Sequence, residues 1–202
     1  MELILNRRSI RKYDETVKIS RDKLNEILMQ AMIAPSSKNM QPWRFLVIDT
    51  IEGKAKLSKA MLGNETQLKT SAAMIVLFQD MQRYDLLEKM LTMQVEAKLI
   101  TPNEKLEKLA YQKEKIPLIK PESLEREGLI DGGLVAMQLM IVARYHGYDT
   151  CPIGGFNRDL INDAVGYDKQ RYKPVMIISI GKAADNGRTT LRLPLEDTVK
   201  YL

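Results

Sequence analysis

The chain has 202 residues, 45% hydrophobic, 28% charged and 6% aromatic, a balance that suits one globular domain and excludes a disordered or fibrous chain. One cysteine, Cys151, and one histidine, His146, rule out an internal disulfide and a Cys-rich zinc site, and make a His-based metal site or proton-relay triad improbable. Thirty-one Lys and Arg against 26 Asp and Glu leave a net charge of +5, which is compatible with nucleic acid, an anionic membrane or a phosphorylated ligand.

In chain order, Met1 to Leu5 is an apolar run too short for a signal peptide, and it is followed by the basic cluster Arg7, Arg8, Arg11 and Lys12. Leu24, Ile27, Leu28, Ala31 and Met32 recur at helical spacing behind Ser20, a candidate N-cap, and Pro35 ends that helix. Residues 35–42 form a polar loop. Residues 44–49 read as a strand and 51–62 as a short helix. Residues 72–78 are continuously apolar, as in a strand buried on both faces. Residues 82–115 are helical in pattern with a break at Pro102, and 116–121 read as a mobile connection. A central helix over 131–145 is apolar on more than one face, so it needs cover on both sides, within one protomer or from a partner chain. Gly147 stops it. A strand and glycine loop over 148–156, a short helix over 158–165, a strand over 175–181 and a polar tail from Arg188 complete the chain. Four strands and at least five helices without βαβ alternation predict an α+β layer around one mostly buried sheet. No stretch approaches the ~20 apolar residues of a membrane span, so a soluble cytoplasmic protein is expected.

Three segments carry polar groups that a core does not need. Arg7, Arg8, Ser9 and Arg11 can clamp a phosphate through paired, charge-assisted hydrogen bonds, although short arginine clusters are more often solvated turns. Between Pro35 and Trp43, two prolines stiffen a loop displaying Ser36, Ser37, Asn39 and Gln41, groups that suit a polyhydroxyl chain or a heteroaromatic edge. The plain alternative is a turn built from turn-forming residues. In the third segment, Pro152, Ile153, Gly154 and Gly155 follow Cys151, and the paired glycines let backbone N–H groups approach a flat ligand. Cys151 itself reads as a small buried residue, because no base lies near it in sequence. Neither G-x-G-x-x-G nor G-x-x-x-x-G-K-[ST] occurs, which leaves a Rossmann site and a P-loop unsupported. Nucleic-acid binding is weak on the same grounds: no aromatics interleave with the basic cluster.

In this order, the segments resemble the nitroreductase family of FMN-dependent oxidoreductases. The match rests on Arg7 to Arg11, on the Pro35-to-Trp43 string, on Asn64 before an apolar strand, on Cys151 to Phe156, on Gly181 and Lys182, and on Arg192 to Pro194. It spans most of 1–80 and 130–202. Residues 81–127 match nothing and correspond to a variable segment that often covers the substrate. The resemblance implies one nitroreductase-like domain over 1–202 with a C-terminal arm at 188–202. Its fold would be α+β, with a mostly antiparallel central sheet flanked by helices, in an intertwined homodimer with FMN at the subunit interface.

Carried over by position, Arg7 and Arg192, with Lys182, would bind the FMN phosphate. Arg8 and Ser9 would hold the phosphate or ribityl chain, and Arg11 the pyrimidine end of the ring. Pro35, Ser36, Ser37, Asn39 and Gln41 would come from the other chain. Asn64 and Gln67 would reach the pyrimidine edge, and Pro152, Ile153, Gly154 and Gly155 the N5 side. Two departures bear on reduction potential and substrate preference: many members carry a carboxylate where Gly154 stands, and a Lys where Gln67 or Leu68 stands. The implied activity is ping-pong hydride transfer from NADH or NADPH through the flavin to a small-molecule oxidant such as a nitroaromatic, a quinone or an activated alkene, with no catalytic side chain and no metal. The alternatives are a flavin-binding or delivery protein with little turnover, and a flavin-destructase or dehalogenase branch of the same superfamily.

Overall fold

The computed structural model describes residues 1–202. The helices are α1 (Glu2–Leu5), α2 (Arg21–Ala31), α3 (Ile51–Ser58), α4 (Glu65–Thr70), α5 (Leu87–Glu96), α6 (Pro102–Lys115), α7 (Pro121–Tyr145) and α8 (Ile161–Val165). The strands are β1 (Trp43–Ile48), β2 (Ala73–Asp80), β3 (Asp149–Ile153) and β4 (Tyr172–Gly181), and they form one sheet in the order β1-β2-β4-β3 with every pair antiparallel.

The pattern of β2 explains the layering. All eight of its residues are buried. Ala73, Ile75 and Leu77 point into a cluster with Leu24, Ile27, Val135 and Leu139 of α2 and α7. Met74, Val76 and Phe78 point the other way, into a cluster with Leu57 of α3 and Ile161 of α8. The two-residue period of the strand thus feeds two cores, one on each face of the sheet. Glycines set the closest approach: a Cβ at Gly132 of α7 would lie 2.9 Å from a methyl of Val175 in β4.

The α+β class, the antiparallel sheet and the four strands agree with expectation. Two boundaries do not. Helix α7 begins at Pro121, ten residues before the expected start, and the segment read as a mobile connection contains a 3-10 turn, Ile116–Leu118. The first turns of α7 are polar (Glu122, Glu125, Arg126 and Glu127), so no apolar stripe marks them, and Pro121 occupies the first-turn position where its missing N–H costs nothing. Short helices α1 and α4 were not anticipated. The break at Pro102 is real, and a capping box between Thr101 and Glu104 starts α6 there.

Only one face of α7 is covered. Val135, Ala136, Leu139, Met140 and Ala143 pack inward, whereas Leu129, Ile130, Leu134 and Met137 are 39–60% exposed. By length and apolarity α7 could cross a bilayer, which exceeds the sequence expectation, but its inner face belongs to the core of the sheet.

At the far end of β2, Asp80 is fully buried and receives two arginines: Arg44 at 2.9 Å, and Arg171 at 2.9 and 3.0 Å. Its carboxylate also accepts the Gln82 N–H at 2.9 Å. Replacing Asp80 by Ala removes the acceptor that both guanidiniums share, and roughly 2–4 kcal/mol of unfolding free energy should be lost. The urea midpoint at unchanged m-value measures it. A loss below about 0.5 kcal/mol would mean that solvent replaces the carboxylate for both arginines.

Candidate functional site

The basic segment is held by backbone and by one tyrosine. Ile10 N–H donates to Thr150 of β3 at 3.1 Å, and Asp14 N–H to the Lys182 carbonyl at 2.8 Å. Tyr13 is buried, its hydroxyl is 2.8 Å from the Ser179 hydroxyl, and burial pushes its phenol far above the usual range. A Cβ on Gly181 would meet the Tyr13 ring at 2.8 Å, so this glycine is what lets the ring lie flat against β4. Anchored this way, Arg7, Arg8 and Arg11 face the chain that leaves β4.

That chain turns at Gly187, whose φ of +68° favours glycine and whose added Cβ would lie 2.9 Å from Arg8 Cβ. The turn brings Arg188, Thr190 and Arg192 beside the first cluster. Arg7, Arg8, Ser9, Arg11, Arg188, Thr190 and Arg192 line a cavity of about 130 Å³. None of its five guanidiniums has a carboxylate within ion-pair range. One terminal nitrogen of Arg7 is buried and has no hydrogen-bond partner at all. A buried, unsatisfied guanidinium nitrogen is costly, and a bound anion is what would satisfy it.

The cavity continues into a polar trough of about 400 Å³ that shares Ser9, Arg11 and Arg188 and adds Thr66, Gln67, Asp185 and Asn186. Gln67 lies on α4, whose first cap, Asn64, has a left-handed φ of +64°. Asn64 accepts from the Gln67 amide at 2.9 Å. The Asn64 amide lies beside Gly155, where an added Cβ would come within 3.1 Å of it, and the Gly155 carbonyl accepts Leu62 N–H at 3.0 Å. Gly154 is exposed and opens onto free space. Ile153 is buried in the sheet core, so only its backbone is available, and Pro152 is exposed and carries no N–H to donate. Cys151 lies behind Arg7, Ser9, Arg11 and Gln67, and burial raises its thiol above the usual range, which fits packing rather than nucleophilic attack.

The expected residues do not all meet in one chain. Pro35 to Gln41 lie apart from the arginine cavity, and Asn39 and Gln41 instead line a third, apolar cavity of about 1040 Å³ with Met29, Met32, Met90 and Met93. The loop is unusual in its own right. Lys38, Asn39 and Gln41 have φ of +52°, +55° and +46°, three left-handed non-glycine residues within four positions. Ser36 Oγ accepts the Gln41 N–H at 3.0 Å, and Asp131 Oδ1 accepts the Ser37 N–H at 3.0 Å. The separation of this loop from the arginine cavity is what a loop serving the other chain requires. Lys182 does not line the arginine cavity: its ammonium instead donates to the Gly147 carbonyl at 3.0 Å, while its backbone carbonyl accepts the Asp14 N–H. Sequence reasoning placed Lys12 in the basic cluster but gave it no site role, and it missed Thr66, Asp185, Asn186, Arg188 and Thr190. The Asp185-Asn186-Gly187 turn signal ahead of Arg188 could have indicated that the tail folds back.

No three His, Cys, Asp or Glu side chains converge as metal ligands. The arrangement is a concentration of positive charge that leads into a polar trough, with the Gly154–Gly155 edge beside Asn64 nearby.

Comparison with known proteins gives a consistent result. The profile of the Nitroreductase family matches residues 4–182. YdgI of Bacillus subtilis (strain 168), which bears the provisional name NAD(P)H nitroreductase, is 48% identical over 100% of this chain and 96% of its own. The CLA biosynthesis enone reductase of Lactiplantibacillus plantarum is 35% identical over 100% of this chain and 93% of its own. A crystal structure from Exiguobacterium sibiricum 255-15, solved in complex with FMN, superposes with a TM-score of 0.97 at 47% identity, covering 100% of this chain and 96% of that one. With its sheet, its helical layers and its sequence all in agreement, the chain belongs to the nitroreductase family and is an oxidoreductase of that family.

Proposed function

We propose that the protein is an FMN-dependent oxidoreductase that draws electrons from NADH or NADPH and passes them in ping-pong fashion to a small oxidant, with two flavin sites in a homodimer. The observation that carries this reading is the cavity of five guanidiniums without a carboxylate partner, around the orphaned nitrogen of Arg7, which shares residues with a polar trough of about 400 Å³. A phosphate monoester brings a near-dianion and three acceptor oxygens, which match paired guanidinium donors in number and sign. Arg7, Arg188 and Arg192 hold the phosphate. Arg8 and Ser9 hold the phosphate or the first ribityl oxygens. Arg11, Gln67 and Asn64 face the polar edge of the ring, and Gly154 and Gly155 keep side chains off its other edge.

What one chain leaves undone supports the homodimer. The Pro35–Gln41 loop is built with a strained backbone and exposed polar groups, yet lies away from the arginine cavity of its own chain. The outer face of α7 is apolar and uncovered, and the arm from Arg188 carries exposed Leu191, Leu193, Leu195 and Tyr201. A second copy satisfies all three: the arm and α7 are buried, and each loop reaches the flavin of the other chain. Residues 81–127, carrying α5 and α6, sit beside that loop as a lid over the substrate side.

When bound, FMN supplies the hydride acceptor and donor, and the protein supplies position and field. Arg11 places positive charge where the reduced ring gathers negative charge, an electrostatic contribution that needs no movement during the reaction. Gly154 leaves the neighbouring edge without a carboxylate, which favours the reduced form further. Asp185 is the one acid in the trough, and its Oδ1 accepts the Gly187 N–H at 2.8 Å, which gives it a part in the turn; in this reading protons come from solvent.

For the oxidant, the apolar, methionine-lined cavity beside Asn39 and Gln41 favours a hydrophobic acceptor, and the 35%-identical enone reductase makes an activated alkene a specific second reading beside nitroaromatics and quinones.

Purified protein should be yellow with one FMN per chain. Arg7→Ala and Arg192→Ala should each weaken FMN binding by roughly tenfold to hundredfold, as measured by fluorescence titration, and unchanged affinity would remove the phosphate assignment. Anaerobic mixing with NADH and with NADPH, followed by a quinone, a nitroaromatic or an α,β-unsaturated ketone, should bleach and then restore the flavin absorbance. A flavin that bleaches with neither donor would favour a binding or delivery role.

A further inference from the structure

Asp131 sits on the inner face of α7 and is 3% exposed. No cation lies within ion-pair range of it. Its Oδ1 accepts the Ser37 N–H across 94 residues of sequence, and its Oδ2 is buried without any hydrogen-bond partner. Burial raises its carboxyl above the usual range, opposed by the Ser37 N–H and by Arg83, and Glu127 one turn earlier pushes the same way as burial. A half-satisfied buried carboxylate is an expensive way to stabilise a helix, and an apolar residue would pack there at less cost. What it secures is the loop: Ser37 is the pivot from which the left-handed residues Lys38, Asn39 and Gln41 are displayed.

We infer that Asp131 is a positioning residue for the flavin, acting across the dimer: by gripping the Ser37 amide it fixes the Pro35–Gln41 loop in the shape that closes on the cofactor of the partner chain. The inference rests on the interfacial FMN site proposed above and adds to it a buried residue that does not touch the flavin. Two independent features agree with the direction of action. The bond goes to the backbone of the loop, so it sets conformation rather than chemistry. The Asp131 bond is also the one that ties the loop to α7: the other bonds to its backbone are internal (Ser36 Oγ with Gln41 N–H, the Ser36 and Ser37 carbonyls with Asn39 and Met40 N–H, the Gln41 amide with Asn39) or join the Gln41 carbonyl to Arg44. Three of its residues lie in a sparsely populated backbone region, so the anchor at Ser37, where the loop enters that region, bears on the shape of all that follows.

The test is subunit complementation. The Asp131→Leu homodimer should bind FMN roughly tenfold to hundredfold more weakly than wild type. Asp131→Asn, which keeps an oxygen acceptor at Oδ1, should stay within about threefold of wild type by the same reasoning. Differently tagged Arg7→Ala and Asp131→Leu chains are then co-expressed and the mixed dimer isolated. One of its sites combines Arg7 of the second chain with the intact loop of the first, so it should hold one FMN per dimer at wild-type affinity and with wild-type flavin potential. Two weak sites in the mixed dimer would overturn the inference, because that is the result of a loop serving its own chain or of a merely destabilised fold. Wild-type affinity in the Asp131→Leu homodimer would also overturn it. Should Asp131→Leu not yield soluble protein, Ser37→Pro removes the same bond from the donor side, and Ser36 already has the extended φ of −143° and ψ of 159° that a following proline favours. Its FMN affinity should then fall by the same factor below that of Ser37→Ala, and equal affinities would overturn the inference. Wild-type protein that takes up no FMN would instead sink the parent reading, which distinguishes the two failures.

Discussion

Positive charge without a counter-charge is the constraint around which the rest of the site is arranged. Five guanidiniums meet in a cavity of about 130 Å³, and none is answered by a carboxylate. Like charges held this close repel, and one nitrogen of Arg7 is in addition buried without an acceptor. Such a cluster persists because the framework over-determines it. Ile10 is tied to β3, Tyr13 is locked between Ser179 and Gly181, and the Gly187 turn returns the tail to the amino-terminal segment. An arriving phosphate, as proposed, would convert that stored repulsion into attraction. Everything else in the trough then has only to orient the remainder of the molecule.

The division of labour between chains follows from the same geometry. The arginine cavity and the amide edge belong together in one protomer, and the strained loop does not belong with them. A loop with three left-handed residues, entered at an amide that a buried carboxylate holds, is costly to build, and the proposed role across the dimer would account for that cost. The uncovered face of α7 supplies the surface on which a second chain can place that loop, and α7 also carries Asp131. In the proposed homodimer one helix would couple dimerisation to cofactor binding: its outer residues would meet the partner, and its inner residue would shape what the partner receives.

Much of this was legible in the sequence, for identifiable reasons. The strands were found because continuous apolar runs such as 73–78 leave few other options, and the α2 helix because Ser20 and the 3.6-residue stripe mark it at once. The arginine cluster, the proline-braced loop and the glycine pair were visible as polar or flexible residues that a core does not require. What stayed hidden depended on chain reversal. Arg188 and Thr190 join the site only because Gly187 turns the tail back, and Lys182 leaves it because its ammonium caps the loop after α7. Nor could Asp131 be recognised: within an apolar helix pattern it reads as an ordinary polar position, and its partner is 94 residues away. The early start of α7 was missed for the opposite reason, since its first turns are polar and have no stripe to read.

The most direct test of the central claim compares FMN with riboflavin, which carries the same ring and ribityl chain but no phosphate. Titrated into cofactor-free protein, FMN should bind at least about a hundredfold more tightly than riboflavin, and the difference should shrink sharply in Arg7→Ala. Equal affinities for the two flavins, unchanged by that substitution, would contradict the account, because the arginine cavity would then contribute nothing to cofactor recognition.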